Sequence, residues 1–141
     1  IVQANLAELN IDVEIEVLEW GGYLAQTAEG LHDMFILGWV TVTGDADYGM
    51  YALLHSSNAG AAGNRSFYAN DRVDELLDAG RREGDPETRV GYYHEVQEFL
   101  IQDAPMLNLY HPQYMIAVAS NVRGYNHHPD NEMLINNVVI E

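Results

Sequence analysis

Residues 34–37, Met-Phe-Ile-Leu, form a short unbroken apolar run that ends at Gly38 and Trp39 and opens into an acidic, aromatic turn carrying Asp45, Asp47, Tyr48 and Tyr51. A run this short without polar alternation predicts an interior strand covered on both faces, and such a strand requires a layered α/β fold. Gly38 lets another group approach the backbone closely. Trp39 adds a large flat surface and a single N–H donor, and the two aspartates add anionic acceptors. Ligands of open α/β sheets settle just outside the carboxyl ends of strands, so this junction has the position of a binding site. The alternative is a Trp39 that fills core beside a solvated acidic turn, with Asp45 and Asp47 acting as turn residues and helix caps.

The elements around this junction interleave. Apolar residues at Ile1, Val2, Leu6 and Leu9 predict a helix over residues 1–9 stopped by Asn10. Val13, Ile15 and Val17 alternate with acids and predict a strand with one wet face. Residues 20–28 read as a short helix closed by Gly30, which delivers the chain into the buried strand. Strand, helix and strand in that order suggest a right-handed crossover in a mainly parallel sheet. Residues 47–55 read as helical with an aspartate at the N-terminus. The small polar stretch 56–63 is expected to be a loop and the most mobile segment. Asn70 or Asp71 caps a helix carrying Val73, Leu76 and Leu77, and Asp85-Pro86 starts another that packs Tyr92, Val96, Phe99 and Leu100 and ends before Pro105. Residues 106–110, 114–119 and 134–140 read as strands.

Charge narrows the setting. The chain has no lysine, and its 6 arginines stand against 22 acidic residues, a formal net charge of −16. Lysine is ordinarily among the commonest residues, so its absence points to a halophilic composition, in which concentrated salt screens the repulsion of a dense carboxylate coat. An acidic domain docking a basic partner is the rival reading. Nucleic acid is disfavoured and not expected as a partner, since phosphate binding depends on clustered Lys and Arg. With no cysteine, disulfides, thiolate metal sites and a cysteine nucleophile are all unavailable. No apolar run approaches the roughly 20 residues that span a bilayer. Ile1 already lies inside an amphipathic pattern, so the sequence reads as a piece of a longer chain whose targeting segment lies elsewhere.

Catalytic and metal readings are weaker. His32, His55, His94, His111, His127 and His128 show no helical i, i+4 pair, and surface or loop roles are expected of them. Asp45 and Asp47 could in principle do acid/base work, but nothing supplies a nucleophile with a base and an orienter, so a carboxylate-based hydrolase is a minor alternative and no enzyme is expected.

The order of motifs resembles the C-terminal part, mainly the third domain, of the peptide/nickel-type family 5 substrate-binding proteins of ABC importers, which include oligopeptide-, dipeptide- and glutathione-binding proteins. Four features carry the likeness: the opening Ala-Asn-Leu-Ala-Glu-Leu-Asn-Ile-Asp-Val-Glu-Ile-Glu with Glu19-Trp20 and Tyr23-Leu24; Gly38-Trp39 with Gly44-Asp45-Ala46-Asp47-Tyr48; Gly63-Asn64, Tyr68, Asn70, Val73-Asp74 and Leu76-Leu77; and Asp103-Ala104-Pro105 with Val122-Arg123-Gly124. The resemblance implies a type II periplasmic-binding-protein-like lobe, a mixed, mainly parallel sheet flanked by helices, within a larger bilobed protein. It implies a ligand-binding lobe over residues 1–120 and a segment 121–141 returning toward a first domain. It further implies an extracytoplasmic binding component, membrane-anchored through another part, that captures oligopeptides or dipeptides and delivers them to ABC permease subunits, with no cofactor. A nickel or metal-chelate binder and a glutathione-like solute binder are the alternatives within the family. The implied ligand contacts are Trp20, Gly38, Trp39, Val40, Thr41, Thr43, Asp45 and Asn64, the backbone at 38–40 pairing with an extended peptide as an added strand. Many peptide binders of the family place an Asp three residues after the Trp to hold the peptide's ammonium; that position is Val42 here, and Asp45 is the candidate to replace it.

Overall fold

A computed structural model describes residues 1–130 and 132–141. Local chemistry sets the five α-helices among the described residues. α1 spans Val2–Ala7, and α2 spans Trp20–Glu29. The Glu19 carboxylate accepts from the N–H groups of Gly21 and Gly22 at 2.9 and 3.3 Å, which caps α2 and holds its carboxyl below the usual glutamate range. Gly30 ends α2 in the left-handed conformation, φ 74°. α3 spans Ala46–Leu54 behind its cap Asp45, and a single 3₁₀ turn, Ser56–Asn58, follows. α4, Asp71–Arg82, is capped by Asn70, with acids in its first turn and Arg81 and Arg82 in its last, matching the helix dipole at both ends. α5, Pro86–Asp103, starts on Asp85 and the proline and stops at Ala104, directly before Pro105.

The core sits where α3, α4 and α5 meet. Leu54, Val73, Leu76, Leu77, Tyr93 and Val96 are buried, and Met50, Tyr51, Leu53, Tyr68, Tyr92, Phe99 and Leu100 pack around them. Of the face expected on α5, Val96 is fully buried and the other three are partly so, while Tyr93 enters the core in addition.

Residues 56–63 are not the loose segment expected of their composition. The N–H of Gly60 donates to the Asn64 carbonyl at 2.9 Å, and the N–H of Asn64 donates to the Asn58 carbonyl at 3.0 Å. Gly63 adopts φ 146°, and a Cβ there would lie 2.5 Å from the Ala52 carbonyl oxygen, so only glycine lets this loop close on α3. Small residues permit tight packing as readily as mobility.

The strands are the main departure. Among the described residues, four two-residue strands form two antiparallel pairs: β1 (Val122–Arg123) with β4 (Val139–Ile140), and β2 (Asn126–His127) with β3 (Met133–Leu134). The strand expected over 134–140 is therefore divided between two ladders. The segments expected as strands at 13–17, 34–37, 106–110 and 114–119 take neither helix nor ladder, and no parallel sheet forms among the described residues. A strand exists through its neighbours' N–H and C=O groups, and none are aligned beside these segments. Ile15, Val17, Met34, Ile36 and Leu107 are consequently exposed. Among the described residues, no helix is long and apolar enough to cross a membrane.

Candidate functional site

The end of the apolar run stands at the surface. Trp39 keeps 41% of its area exposed, and its ring lies 5.5 Å from that of Tyr48 on α3. Gly49, one turn into α3, brings the helix close: a Cβ there would come within 3.3 Å of the Thr41 hydroxyl and 3.9 Å of the indole. Among the described residues, no main-chain hydrogen bond engages Gly38, Trp39 or Val40. Indole surface and unpaired main chain thus occur together, as strand addition by an extended ligand requires. The turn then closes, with the Gly44 N–H donating to the Thr41 carbonyl at 3.0 Å and the Asp45 N–H to the Thr43 hydroxyl at 3.3 Å.

Trp20 is 61% exposed and stacks on Tyr23 with ring centroids 5.8 Å apart. The Tyr23 hydroxyl donates to the Ile36 carbonyl at 2.6 Å, which ties the Trp20 helix to the segment leading into Trp39. Burial pushes the Tyr23 phenol above its ordinary pKa, so it remains a donor at neutral pH.

Two expected contacts have other duties. Asp45 caps α3 by accepting from the Asp47 N–H at 2.8 Å, and its two oxygens accept from Arg89 at 2.9 and 2.7 Å. The guanidinium holds its carboxyl below the usual aspartate range. Its charge is already matched by Arg89, and it fills the helix-cap role read from the sequence as the alternative to ligand contact. Asn64 is fully buried, at 0% exposure. Its amide donates to the carbonyls of Leu54, His55 and Tyr68, the last at 2.8 Å, while its oxygen accepts from the Ser66 hydroxyl and the Tyr68 N–H. Every polar atom of that side chain is used, so Asn64 fastens the loop between α3 and α4 and is withdrawn from the ligand side.

Sequence reading missed Arg81 and Arg89. Arg81 donates to both oxygens of Asp47, the Nε contact at 3.1 Å, and lies 3.6 Å from the centroid of the Tyr51 ring. The available signal was scarcity, because a chain with so few cations pairs almost every one: Arg72, Arg81, Arg82, Arg89 and Arg123 each meet a carboxylate. His55 stacks on Tyr51 and lies 3.8 Å from Asp74 and 3.7 Å from Asp78. Among the described residues, no three of His, Asp and Glu gather where they could hold a metal ion.

Residues 1–61 match the family described as bacterial extracellular solute-binding proteins, family 5, in its middle part. A probable di/tripeptide-binding protein of Pseudomonas aeruginosa is 30% identical over 129 residues, covering 92% of this chain and 24% of its own length. The dipeptide-binding protein of Escherichia coli is 30% identical over 141 residues, covering 99% and 26%. The chain spans about a quarter of the length of the curated relatives it matches. Among solved structures, a Helicobacter pylori periplasmic binding protein in complex with the peptide STSA shares 40% identity over 74% of this chain and 21% of its own, with a TM-score of 0.69. A Pseudoalteromonas dipeptide-binding protein in complex with Met-Leu shares 25% identity over 99% of this chain and 27% of its own, with a TM-score of 0.88. The fold is therefore that of type II periplasmic binding proteins, whose chain path is retained although the sheet ladders are not closed within these residues. With family match, aligned relatives and shared chain path in agreement, this chain belongs to the family 5 extracellular solute-binding proteins.

Proposed function

We propose that these residues form one wall of the ligand cleft in an extracytoplasmic solute-binding component of an ABC importer, and that the ligand is a dipeptide or short oligopeptide. The observation that carries the reading is the half-exposed Trp39 beside main chain at 38–40 that has no hydrogen-bond partner among the described residues. Backbone pairing holds any extended peptide, while the indole, Tyr48 and the exposed Val40 and Val42 accept its side chains. Trp20, placed through Tyr23 and Ile36, extends the same wall, and Thr41 and Thr43 shape its closing turn. Residues 1–120 act as the binding lobe. Residues 121–141, with their own two small ladders, lead back toward the rest of the protein, and the permease subunits in the membrane receive the ligand.

Calorimetric titration of the whole protein with Met-Leu tests the reading. Truncating a buried aromatic anchor typically costs roughly 2 kcal/mol or more, so Trp39→Ala should weaken binding by at least about tenfold. Unchanged affinity would overturn it.

The lysine-free composition, with its net charge of −16, supports a protein adapted to concentrated salt. Its melting temperature should rise steeply between dilute and molar KCl, because salt at about 1 M shortens the screening length to roughly 3 Å. Equal midpoints would remove that part of the proposal.

A further inference from the structure

Arg89 lies outside the wall, 44 positions from Asp45, yet three parts of the fold converge on it. Its Nη1 and Nη2 donate to the two Asp45 oxygens at 2.9 and 2.7 Å, and its Nε donates to the Gly80 carbonyl at 2.9 Å. Nη2 also reaches the Tyr93 hydroxyl at 3.1 Å, with the guanidinium 4.9 Å from the Tyr93 ring centroid. Tyr93 is buried in the core, and Gly80 is packed so closely on it that a Cβ would lie 3.0 Å from the ring. The guanidinium therefore joins the N-terminus of α3 to the last turn of α4 and to the core. Arg81 makes a similar two-pronged contact two residues further on, to Asp47.

The grip matters because of what adjoins it. Asp45 directly follows the turn closed by the Thr41 carbonyl, and Trp39 rests on Tyr48 and against Gly49 of the same helix. The indole thus takes its orientation from the first turns of α3. A two-pronged Arg–carboxylate contact fixes direction as well as distance, which a lysine's point charge does not.

We propose that Arg89 is the positioning residue of the Trp39 wall: through its fork on Asp45 it fixes the N-terminus of α3, and with it the indole. Asp45 serves this clamp instead of capturing a ligand's ammonium. The consequence for affinity rests on the peptide reading above, whereas the placement of Trp39 does not.

Fluorine NMR of the whole protein labelled with fluorotryptophan tests both, the Trp39 line being assigned by its loss in Trp39→Phe. In Arg89→Met and in Asp45→Asn, the Trp39 line of the ligand-free protein should move or broaden, and affinity for Met-Leu should fall about tenfold, the loss of roughly one charge-assisted contact. Arg72→Met removes a more exposed carboxylate contact, to Glu95, elsewhere on α4 and should change neither reading. Arg89→Lys keeps the charge without the fork, so it should recover melting temperature without returning the Trp39 line to its place. An unmoved line in both Arg89→Met and Asp45→Asn overturns the proposal. So does a line fully restored by lysine, which would reduce Arg89 to a charge that merely stabilises. Should Arg89→Met fail to fold, Asp45→Asn decides, because asparagine still caps α3. Should the wild-type protein bind no peptide, the peptide reading falls while the line position still judges the clamp.

Discussion

The segments at 11–18, 31–42 and 106–119 are built from more apolar sequence than the helices α4 and α5, yet it is the helical block of α3, α4 and α5 that buries its apolar residues. In the block, Leu76 and Leu77 are nearly or fully buried and each helix satisfies its own backbone. In the segments, Ile15, Val17, Ile36 and Leu107 face outward and the main chain has few partners. A helix closes its hydrogen bonds within itself and then needs only a partner for one face, whereas a strand is incomplete without a neighbour's backbone. The same incompleteness leaves the main chain beside Trp39 free for a ligand. Burial is concentrated in one region and unpaired main chain in the other.

Substitutions can break or sharpen that division. The largest effect is expected of Leu77→Ala, which empties a fully buried site and should cost about 2–5 kcal/mol in urea unfolding; a loss below about 1 kcal/mol would mean that the three-helix core is not the stabilising unit. Asn64→Ala comes next. It strands several buried carbonyls and an N–H, so about 2–3 kcal/mol should disappear in the same assay. A neutral outcome would show that water replaces the amide and that the 56–64 loop is held by other contacts.

Acid acts more gently. Asp45, Asp85 and Asp103 are all held below the ordinary aspartate value, Asp45 chiefly by Arg89, Asp85 by Thr88, and Asp103 by Tyr68 and Asn70. Because the unfolded chain then binds protons more readily, the stability these groups contribute is present above their unfolded pKa of about 3.9 and is lost as pH falls through the folded values. Melting temperature followed from pH 6 downward should therefore begin to fall as the ordinary aspartate range near about pH 4 is approached. The partner of Asp103 moves oppositely: burial, reinforced by the carboxylate, pushes the Tyr68 phenol up to about 12, so that hydrogen bond persists through neutral pH. The smallest effect is assigned to Val17→Ser. That residue is 90% exposed, and unfolding free energy should shift by no more than about 0.5 kcal/mol. A larger loss would show that the outward face of these segments is covered in the whole protein.

Much of this is legible in the sequence. Asp85-Pro86, Asn70 and Gly30 marked helix ends where they occur, and Val73, Leu76, Leu77 and Val96 fell at core positions through their spacing. The Trp39 junction was legible too, as an apolar run ending in glycine and indole. What misled was the reading of residues by type alone. Asn64 looked like a ligand contact and lies inside, the small residues at 56–63 looked loose and are tightly bonded, and Asp45, read as either cap or ligand contact, is a cap whose partner Arg89 no residue type announced.

Sequence by itself determined the helices, their caps and the presence of an aromatic junction, because those depend on bonds between residues at most four positions apart and on an apolar period that chain order displays. Only the tertiary structure decided which charges are spent, which amide is buried and which apolar runs lack a ladder. Those outcomes depend on groups such as Asp45 and Arg89 that meet across 44 positions, and on backbone neighbours that no local pattern can name.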